Sequence, residues 1–527
     1  MENELQNRKQ INNAVLIFAD PAKSSNPNII RRSVLALIEA RAWARAHNFV
    51  KDENEALWGL YRCYSNTQRR LEAIEVLQDL RGNLEKMRGE IKDVSRRANI
   101  LNEFPRLFSA LCELLYANNR FPELLDAMEG AKGRVLADVL VRKEGAPMAD
   151  RMFSEPAKCL PGLMREARAH YLSYLVDDKK IYAVLVDKHG STHATGIPIG
   201  KEALRALANR INPEHWQVSN AGFFGRPIAV PEQLSPLVEW LEPIAKTGLI
   251  NQGDHICYCP DAELHLIPLH YVTFRGKPLV KHVSLSRVQG ALALLTILQR
   301  RPARLEKFIA VQVPMQWYLG DAAKLTNLER VPQWLKRNLP GETLMGKQAD
   351  IDKMVQHVWK QRLVHFVTHG TFPEKDEEWR DPNPHSGSGL LLARNGELPS
   401  SEAICNGRSD LLLTPEKVLK LDFSGSHVTL QACVSGLAKE GIGGDALGLE
   451  WAFMQAGAQS LLATHWNVPD YASADFSTKF YQKWLVRKTS RAEAWRATIF
   501  KLMDSQYSDD RPKPYYWAGF SLSGDWR

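Results

Sequence analysis

The chain has 527 residues, of which 44% are hydrophobic and 24% charged, as is ordinary for a globular protein of two to four domains. Its formal net charge of +8 is spread thinly, without a dense basic run, so we do not expect direct binding to nucleic acid. The sequence has no run of eighteen apolar residues, and its polar start does not suit a secretory signal. We therefore expect no membrane binding and a cytoplasmic location.

Residues 28–144 show the apolar spacing of helices. Leu57 and Leu60, then Leu77 and Leu80, lie three residues apart on either side of a polar break. We interpret residues 1–150 as a helical-repeat region that is similar to tetratricopeptide repeats. Such arrays leave a concave face, which here would bind a regulatory protein partner. A plain helical cap on the next domain is the alternative.

The pattern changes to strands after a boundary rich in proline and glycine at residues 143–161. Residues 171–176 and 180–186 predict a hairpin, and residues 256–259 predict a buried strand. Cys257 and Cys259 lie in this strand, and no second pair near them completes a zinc site, so we expect small buried side chains. We predict neither a metal nor a cofactor.

Cysteine usage also indicates the redox compartment. The chain has seven cysteines, an odd number without paired spacing, which argues against a disulfide framework and for a reducing compartment. A catalytic thiol survives in such a compartment.

Two later segments share one design, an apolar strand that ends in a reactive side chain. Residues 362–368 end at His369-Gly370, and residues 428–432 end at Cys433. Because ligands of open α/β sheets bind at the carboxyl ends of strands, we expect His369 and Cys433 to meet at one edge. An imidazole lowers the pKa of a neighbouring thiol and transfers its proton, and the amides of Gly370 and Cys433 are candidates for the oxyanion hole.

Several motifs, taken together, resemble the CHAT family of caspase- and separase-related cysteine peptidases over roughly residues 171–527. They are His369-Gly370, residues 432–436, residues 443–449 and residues 515–520. The resemblance implies an α/β fold, a caspase-like sheet with helices on both faces. It further implies a non-catalytic caspase-like half at residues 151–305 and a catalytic half at residues 306–527.

The resemblance also implies a function, an endopeptidase that cleaves specific proteins under the control of a partner or signal. Bacterial relatives serve stress or antiviral defence. Residues 465–470 resemble a separase segment that binds a basic side chain, so Asn467 and Asp470 are candidate substrate-binding residues. Asn467 replaces the first acid of that segment and brings no charge, so a preference for Arg or Lys does not carry over. A helix-capping loop is the alternative.

Other histidines receive simpler interpretations. His365 lies within its strand, where we expect a hydrogen-bonded core residue, whereas His465 is a minor catalytic candidate. No acidic third member is evident, which indicates a dyad. Two competing functions remain open: an idle CHAT scaffold that recruits a partner, and an acyltransferase that uses the same dyad.

Overall fold

A computed structural model of the chain describes most of the residues. They are residues 6, 8–9, 11, 26–90, 104, 106–132, 155–211, 230–300, 305–313, 327, 329–368, 370–371, 389–399, 409–432, 439–440, 446–466, 468–505 and 513–527. The chain divides into two compact units, Met1–Val135 and Leu136–Arg527.

The first unit is all helical over its described residues. Its five longer helices are α1 (Pro27–Ala46), α2 (Val50–Asn66), α3 (Arg70–Glu90), α4 (Leu107–Ala117) and α5 (Phe121–Gly130). Apolar side chains of α2, such as Leu57 and Leu60, are fully buried. A Cβ at Gly59 would lie 3.0 Å from Leu37 of α1, so the glycine permits the close approach of the two helices. The predicted helical region is therefore confirmed.

Three connections in this unit share one turn geometry. Each has a residue with positive φ, and the next backbone amide donates a 2.9 Å hydrogen bond to the carbonyl five residues earlier. The positive-φ residues are Asn48 (59°), Gln68 (56°) and Asn119 (56°). A residue of this conformation stops a helix and satisfies its last carbonyls. The repeated turn produces the successive helical hairpins that the sequence predicts.

The second unit is built on one large sheet with helices. Its helices are α6 (Pro156–Ala167), α7 (Lys201–Ile211), α8 (Val230–Gln233), α9 (Pro236–Glu239), α10 (Glu242–Lys246), α11 (Ala291–Gln299), α12 (Arg330–Asn338), α13 (Ile351–Met354), α14 (Pro415–Val418), α15 (Leu449–Gln455), α16 (Asp470–Tyr481), α17 (Arg491–Met503) and α18 (Pro514–Trp517). A π-helical turn, Gln482–Val486, follows α16.

Eighteen strands are described in this unit. They are β1 (His170–Val176), β2 (Ile181–Val186), β3 (Thr192–Ile197), β4 (His255–Cys259), β5 (Thr273–Phe274), β6 (Lys277–Pro278), β7 (Ser284–Arg287), β8 (Lys307–Gln312), β9 (Gly341–Met345), β10 (Arg362–Val367), β11 (Gly370–Thr371), β12 (Gly389–Leu391), β13 (Leu412–Leu413), β14 (His427–Gln431), β15 (Lys439–Glu440), β16 (Ala446–Leu447), β17 (Ser460–Thr464) and β18 (Phe520–Gly524). The predicted hairpin is confirmed as β1 and β2, which pair antiparallel.

Eleven of the strands form one sheet in the order β3-β2-β1-β4-β7-β18-β17-β14-β10-β8-β9. The run from β17 through β14, β10 and β8 to β9 is parallel, as is the run from β1 through β4 to β7. The last strand, β18, lies between the two runs, with its Ser523 opposite Arg287 of β7. The sheet is thus continuous across the halves that the sequence separates at residue 305.

Helices cover both faces of the second half of the sheet. Phe453 of α15 packs on Phe366 of β10, with ring centroids 5.6 Å apart. On the opposite face, Tyr481 of α16 contacts His365 of the same strand, with centroids 5.8 Å apart. Because successive side chains of a strand point to opposite faces, the two contacts define two layers of helix. The predicted α/β class, with helices on both faces, is confirmed.

Candidate functional site

Strands β10 and β14 end side by side at the carboxyl edge of the sheet. Val367, the last residue of β10, lies opposite Gln431, the last residue of β14. The amide of Thr368 donates to the Gln431 carbonyl at 3.3 Å, and the Thr464 hydroxyl donates to the Ala432 carbonyl at 2.9 Å. Three neighbouring strands, β10, β14 and β17, are therefore tied together at one edge.

Three of the predicted site residues lie outside the residues that the structure describes. They are His369 and Cys433, which follow β10 and β14, and Asn467, which follows β17. Their roles stay predictions.

Gly370 lies in a small sheet beside this edge. It begins β11 and pairs with Leu390 of β12, which in turn pairs with β13. The Thr368 hydroxyl donates to the Leu391 carbonyl of the same small sheet. The backbone at Thr368 and Gly370 is thus held from both sides, which gives the Gly370 amide a defined position. Its predicted part in an oxyanion hole stays a prediction.

Asp470 also lies at this edge, at the first residue of α16. Its Oδ1 accepts a hydrogen bond from the Gln431 side chain at 3.1 Å, and its Oδ2 accepts one from the Asn327 amide at 2.6 Å. A carboxylate at a helix amino terminus is stabilised by the helix dipole. Both oxygens already have protein donors, so the carboxylate is fixed against the end of β14. Its predicted contact with substrate stays a prediction.

Sequence reasoning missed the polar face of β14. His427, Thr429 and Gln431 alternate with Val428 and Leu430, so one face of the strand is polar. The polar face is buried under α16 and is linked by hydrogen bonds into one series, here called the polar chain. Its members are Ser460, His427, Thr429, Tyr481, His365, Gln431 and Asp470. The period-two alternation in the sequence was the available signal.

His365 is a member of this chain and is fully buried. Its Nδ1 lies 2.9 Å from the Tyr481 hydroxyl, and its Nε2 lies 3.2 Å from Gln431 Oε1. Burial lowers the pKa of His365 to about 4, so the ring is neutral at pH 7. The predicted core histidine is therefore confirmed.

His465, the minor catalytic candidate, is buried as well, with 1% of its surface exposed. Neither ring nitrogen has a hydrogen-bond partner among the residues that the structure describes. Burial lowers the pKa of this imidazole well below its usual range. A neutral ring enclosed in this way is shielded from solvent, and the catalytic candidacy of His465 stays a prediction.

Cys257 and Cys259 are buried in β4, at 0% and 2% exposure. Burial raises the pKa of the Cys257 thiol, and the Ser286 hydroxyl contacts its sulfur at 3.8 Å. A protonated, enclosed thiol is unreactive. The expectation of small buried side chains is confirmed.

Two absences hold within the described ranges. None of their histidine, cysteine and acidic side chains group as metal ligands would. Within the same ranges, no helix has the length and apolar composition needed to span a membrane.

Comparisons with known proteins agree with this architecture. Human and mouse tetratricopeptide repeat protein 28 are 28% and 29% identical to this chain over 197 and 199 residues. Each match covers 35% of this chain and 8% of the relative, so the chain spans less than a tenth of the relatives' length.

Among solved structures, the Saccharomyces cerevisiae separase–securin complex superposes with a TM-score of 0.50 at 12% identity. The superposition covers 86% of this chain and 37% of that chain, and at this identity it shows a shared fold alone. Residues 232–525 match the CHAT domain. Because that match covers more than half of the sequence, the chain belongs to the CHAT family.

Proposed function

We propose that this chain is a cysteine endopeptidase whose dyad is His369 and Cys433. The thiolate of Cys433 attacks the scissile carbonyl and forms a thioester, while His369 takes the thiol proton and passes it to the departing amine. Water then adds to the thioester and releases the acid. The amides of Gly370 and Cys433 stabilise the oxyanion at each step.

One observation carries the proposal, the common end point of β10 and β14. Val367 and Gln431 lie opposite each other in adjacent parallel strands, which are about 4.8 Å apart. His369 and Cys433 each follow the paired position by two residues. The two strands thus end at the same level of the sheet, which supports the proximity that a thiol and an imidazole need for proton transfer. Membership of the CHAT family supports the same assignment.

We further propose that Asn467 and Asp470 shape the first specificity pocket of this site. Asp470 is bonded to the last residue of β14, which supports a place beside the dyad. The domain assignment is part of the proposal: a helical-repeat region at residues 1–150, a non-catalytic half at 151–305 and a catalytic half at 306–527. The substrate is an extended segment of a specific protein.

The helical unit supports a second role, binding of a regulatory protein partner. Leu35 and Ile38 of α1 are 57% and 45% exposed, and Leu71 of α3 is 59% exposed. Exposed leucine and isoleucine side chains on a helical array gain free energy when a protein partner covers them and removes them from water. The same surface serves the competing function, an idle scaffold that only recruits.

A cleavage profile of proteome-derived peptides tests the proposal. Wild type is compared with Cys433→Ala and His369→Ala, and with Cys259→Ala as the control for loss of a buried thiol. We expect each dyad variant to lose at least about 10³-fold in cleavage with an unchanged thermal transition, whereas the control keeps cleaving. Retained cleavage in either dyad variant would remove the assignment, and mass spectrometry of the products separates hydrolysis from acyl transfer.

A further inference from the structure

The chemistry of its end group determines which member of each pair in the polar chain is the hydrogen-bond donor. The polar chain ends at Asp470, whose carboxylate accepts hydrogen bonds and donates none. The group that Gln431 presents to Asp470 must therefore be its amide N–H, at 3.1 Å. The remaining Gln431 oxygen then accepts from the Nε2–H of His365, at 3.2 Å. The terminal carboxylate thus fixes both the amide orientation and the histidine tautomer.

The direction continues through His365. Its ring is neutral, so a proton on Nε2 leaves Nδ1 as an acceptor, and the Tyr481 hydroxyl must donate to it at 2.9 Å. The hydroxyls of Tyr481 and Thr429 lie 2.6 Å apart. A hydroxyl has a single proton, and that of Tyr481 is directed to His365, so Thr429 must be the donor of this pair.

The same reasoning holds at the far end. Burial keeps the pKa of His427 well below its usual range, so this ring is also neutral. The Nε2–H of His427 donates to the Thr429 oxygen at 3.1 Å. The Nδ1 of His427 accepts from the Ser460 hydroxyl at 2.8 Å. All six hydrogen bonds therefore point the same way, from Ser460 toward Asp470. Hydrogen bonds aligned in this manner polarise and strengthen one another in a low-dielectric interior.

We propose that Gln431 is a positioning residue that locks the carboxyl end of β14 to the amino end of α16 through this aligned chain. The proposal deepens the proposed function and rests on it, because Gln431 precedes Cys433 by two residues. Gln431 bonds to His365 on β10 and to Asp470 on α16. It thereby joins two strands and one helix of the candidate site. A displacement of about 1 Å in a reacting group costs on the order of 10²-fold in rate.

The first half of the unit offers a matched control for this chain. His255 is buried between two hydroxyls, Ser284 and Ser286, each 2.9 Å from a ring nitrogen. Ser286 therefore makes the same kind of imidazole contact as Thr429, in a strand that does not lead to Asp470. Loss of the Ser286 hydroxyl removes its hydrogen bond to His255, whereas loss of the Thr429 hydroxyl removes its bonds to both His427 and Tyr481 and so interrupts the aligned chain.

The first experiment requires no activity. Long-range ¹H–¹⁵N correlation spectra of the intact protein distinguish the two neutral histidine tautomers. We expect His365 and His427 both to carry their proton on Nε2. A proton on Nδ1 of either ring would overturn the aligned chain, even where the proposed peptidase activity is sound.

The second experiment measures turnover of a cleaved peptide with Gln431→Met, Thr429→Val, Thr429→Ser and Ser286→Ala. We expect Gln431→Met and Thr429→Val to lower kcat about 10- to 100-fold with little change in KM, and Thr429→Ser to restore most of the loss. Ser286→Ala should lower thermal stability less than Thr429→Val, because it removes one imidazole hydrogen bond and not the bonds to both His427 and Tyr481, and it should keep kcat. Equal kcat values for Thr429→Val and Ser286→Ala would overturn the positioning role. Absence of turnover in wild type would instead count against the proposed function. The histidine tautomers from the first experiment would then test the aligned chain without it.

Discussion

Each half of the sheet contains a buried histidine that lies between two hydroxyl groups, but the hydrogen bonds lead to different places in the two halves. In the first half, His255 lies between Ser284 and Ser286 and stacks on Trp526, with centroids 4.7 Å apart. In the second half, His427 lies between Ser460 and Thr429. Each buried imidazole joins two neighbouring strands through hydroxyl groups, which gives the strands a fixed register at little cost in unsatisfied polar groups.

The difference lies in where the hydrogen bonds lead. The cluster at His255 joins β4 to β7, its Ser284 hydroxyl also contacts the Asp254 carbonyl just before β4, and burial raises the pKa of the nearby Cys257 thiol. The cluster at His427 continues through Tyr481 and His365 to the carboxyl edge at Asp470. A buried polar group can therefore either hold two strands in register or connect the interior of the sheet to its carboxyl edge, and among the described residues the second half has that connection.

The largest effect that we predict concerns the join between the halves. Arg287 of the first half and Glu450 of the second form an ion pair of 3.3 Å, with side chains 4% and 7% exposed. Ser523 adds a 2.7 Å hydrogen bond to the same carboxylate. Glu450→Leu leaves the buried guanidinium without its carboxylate, so we expect a loss of about 3–5 kcal/mol in the free energy of unfolding by urea.

The double variant Arg287→Met/Glu450→Leu controls for this prediction. Replacing both charges with apolar side chains removes the desolvation cost as well as the attraction, so most of the loss should be recovered. A loss below about 1 kcal/mol in the single variant would mean that this ion pair does not join the two halves.

A smaller effect compares the pH dependence of one buried imidazole from each half, His255 of the first and His365 of the second. Burial lowers the pKa of His255 to about 3 and that of His365 to about 4. Below about pH 6.5 the unfolded chain binds a proton at each histidine and the folded chain does not. The free energy of unfolding is therefore highest, with respect to these two rings, above pH 6.5. That stability is lost as the pH falls from 6.5 toward 4, at up to about 1.4 kcal/mol per pH unit for each ring.

Variants of the two rings test this dependence one half at a time. Urea unfolding of His255→Leu and His365→Leu between pH 6.5 and 4.5 should show a shallower decline than wild type, by a similar amount in each. An unchanged slope in either variant would show that the ring is protonated in the folded protein, which would break the equivalence of the halves.

Much of the fold could be predicted from local sequence. The apolar runs before His369 and Cys433 predicted β10 and β14, and the small residues after them predicted the carboxyl edge. The place of β18 could not be predicted in this way, because its pairing with β7 joins residues more than 200 positions apart. Local patterns identify elements, whereas the order of strands across halves depends on long-range packing.

The candidate site was predicted less completely. Because Thr429 is β-branched, residues 428–432 predict an apolar strand, and this prediction conceals the alternation of polar side chains with Val428 and Leu430. The alternation alone does not identify the partner of Thr429. That partner, Tyr481, lies 52 residues further along the chain, and the sequence of the strand does not show which side of its helix faces the sheet. Asp470 was recognised as an acid near the edge, but its bond to Gln431 appears only in three dimensions.

The most direct test of the proposed His369–Cys433 dyad is the rate at which iodoacetamide alkylates each cysteine of the folded protein. Mass spectrometry of peptides assigns the rate to each cysteine. We expect Cys433 to react faster at pH 7 than the thiol of a model peptide and to slow to the peptide's rate in His369→Ala. Cys257 and Cys259 should stay unmodified until the protein unfolds. A wild-type Cys433 that reacts no faster than the model peptide would contradict the dyad and favour the recruiting scaffold.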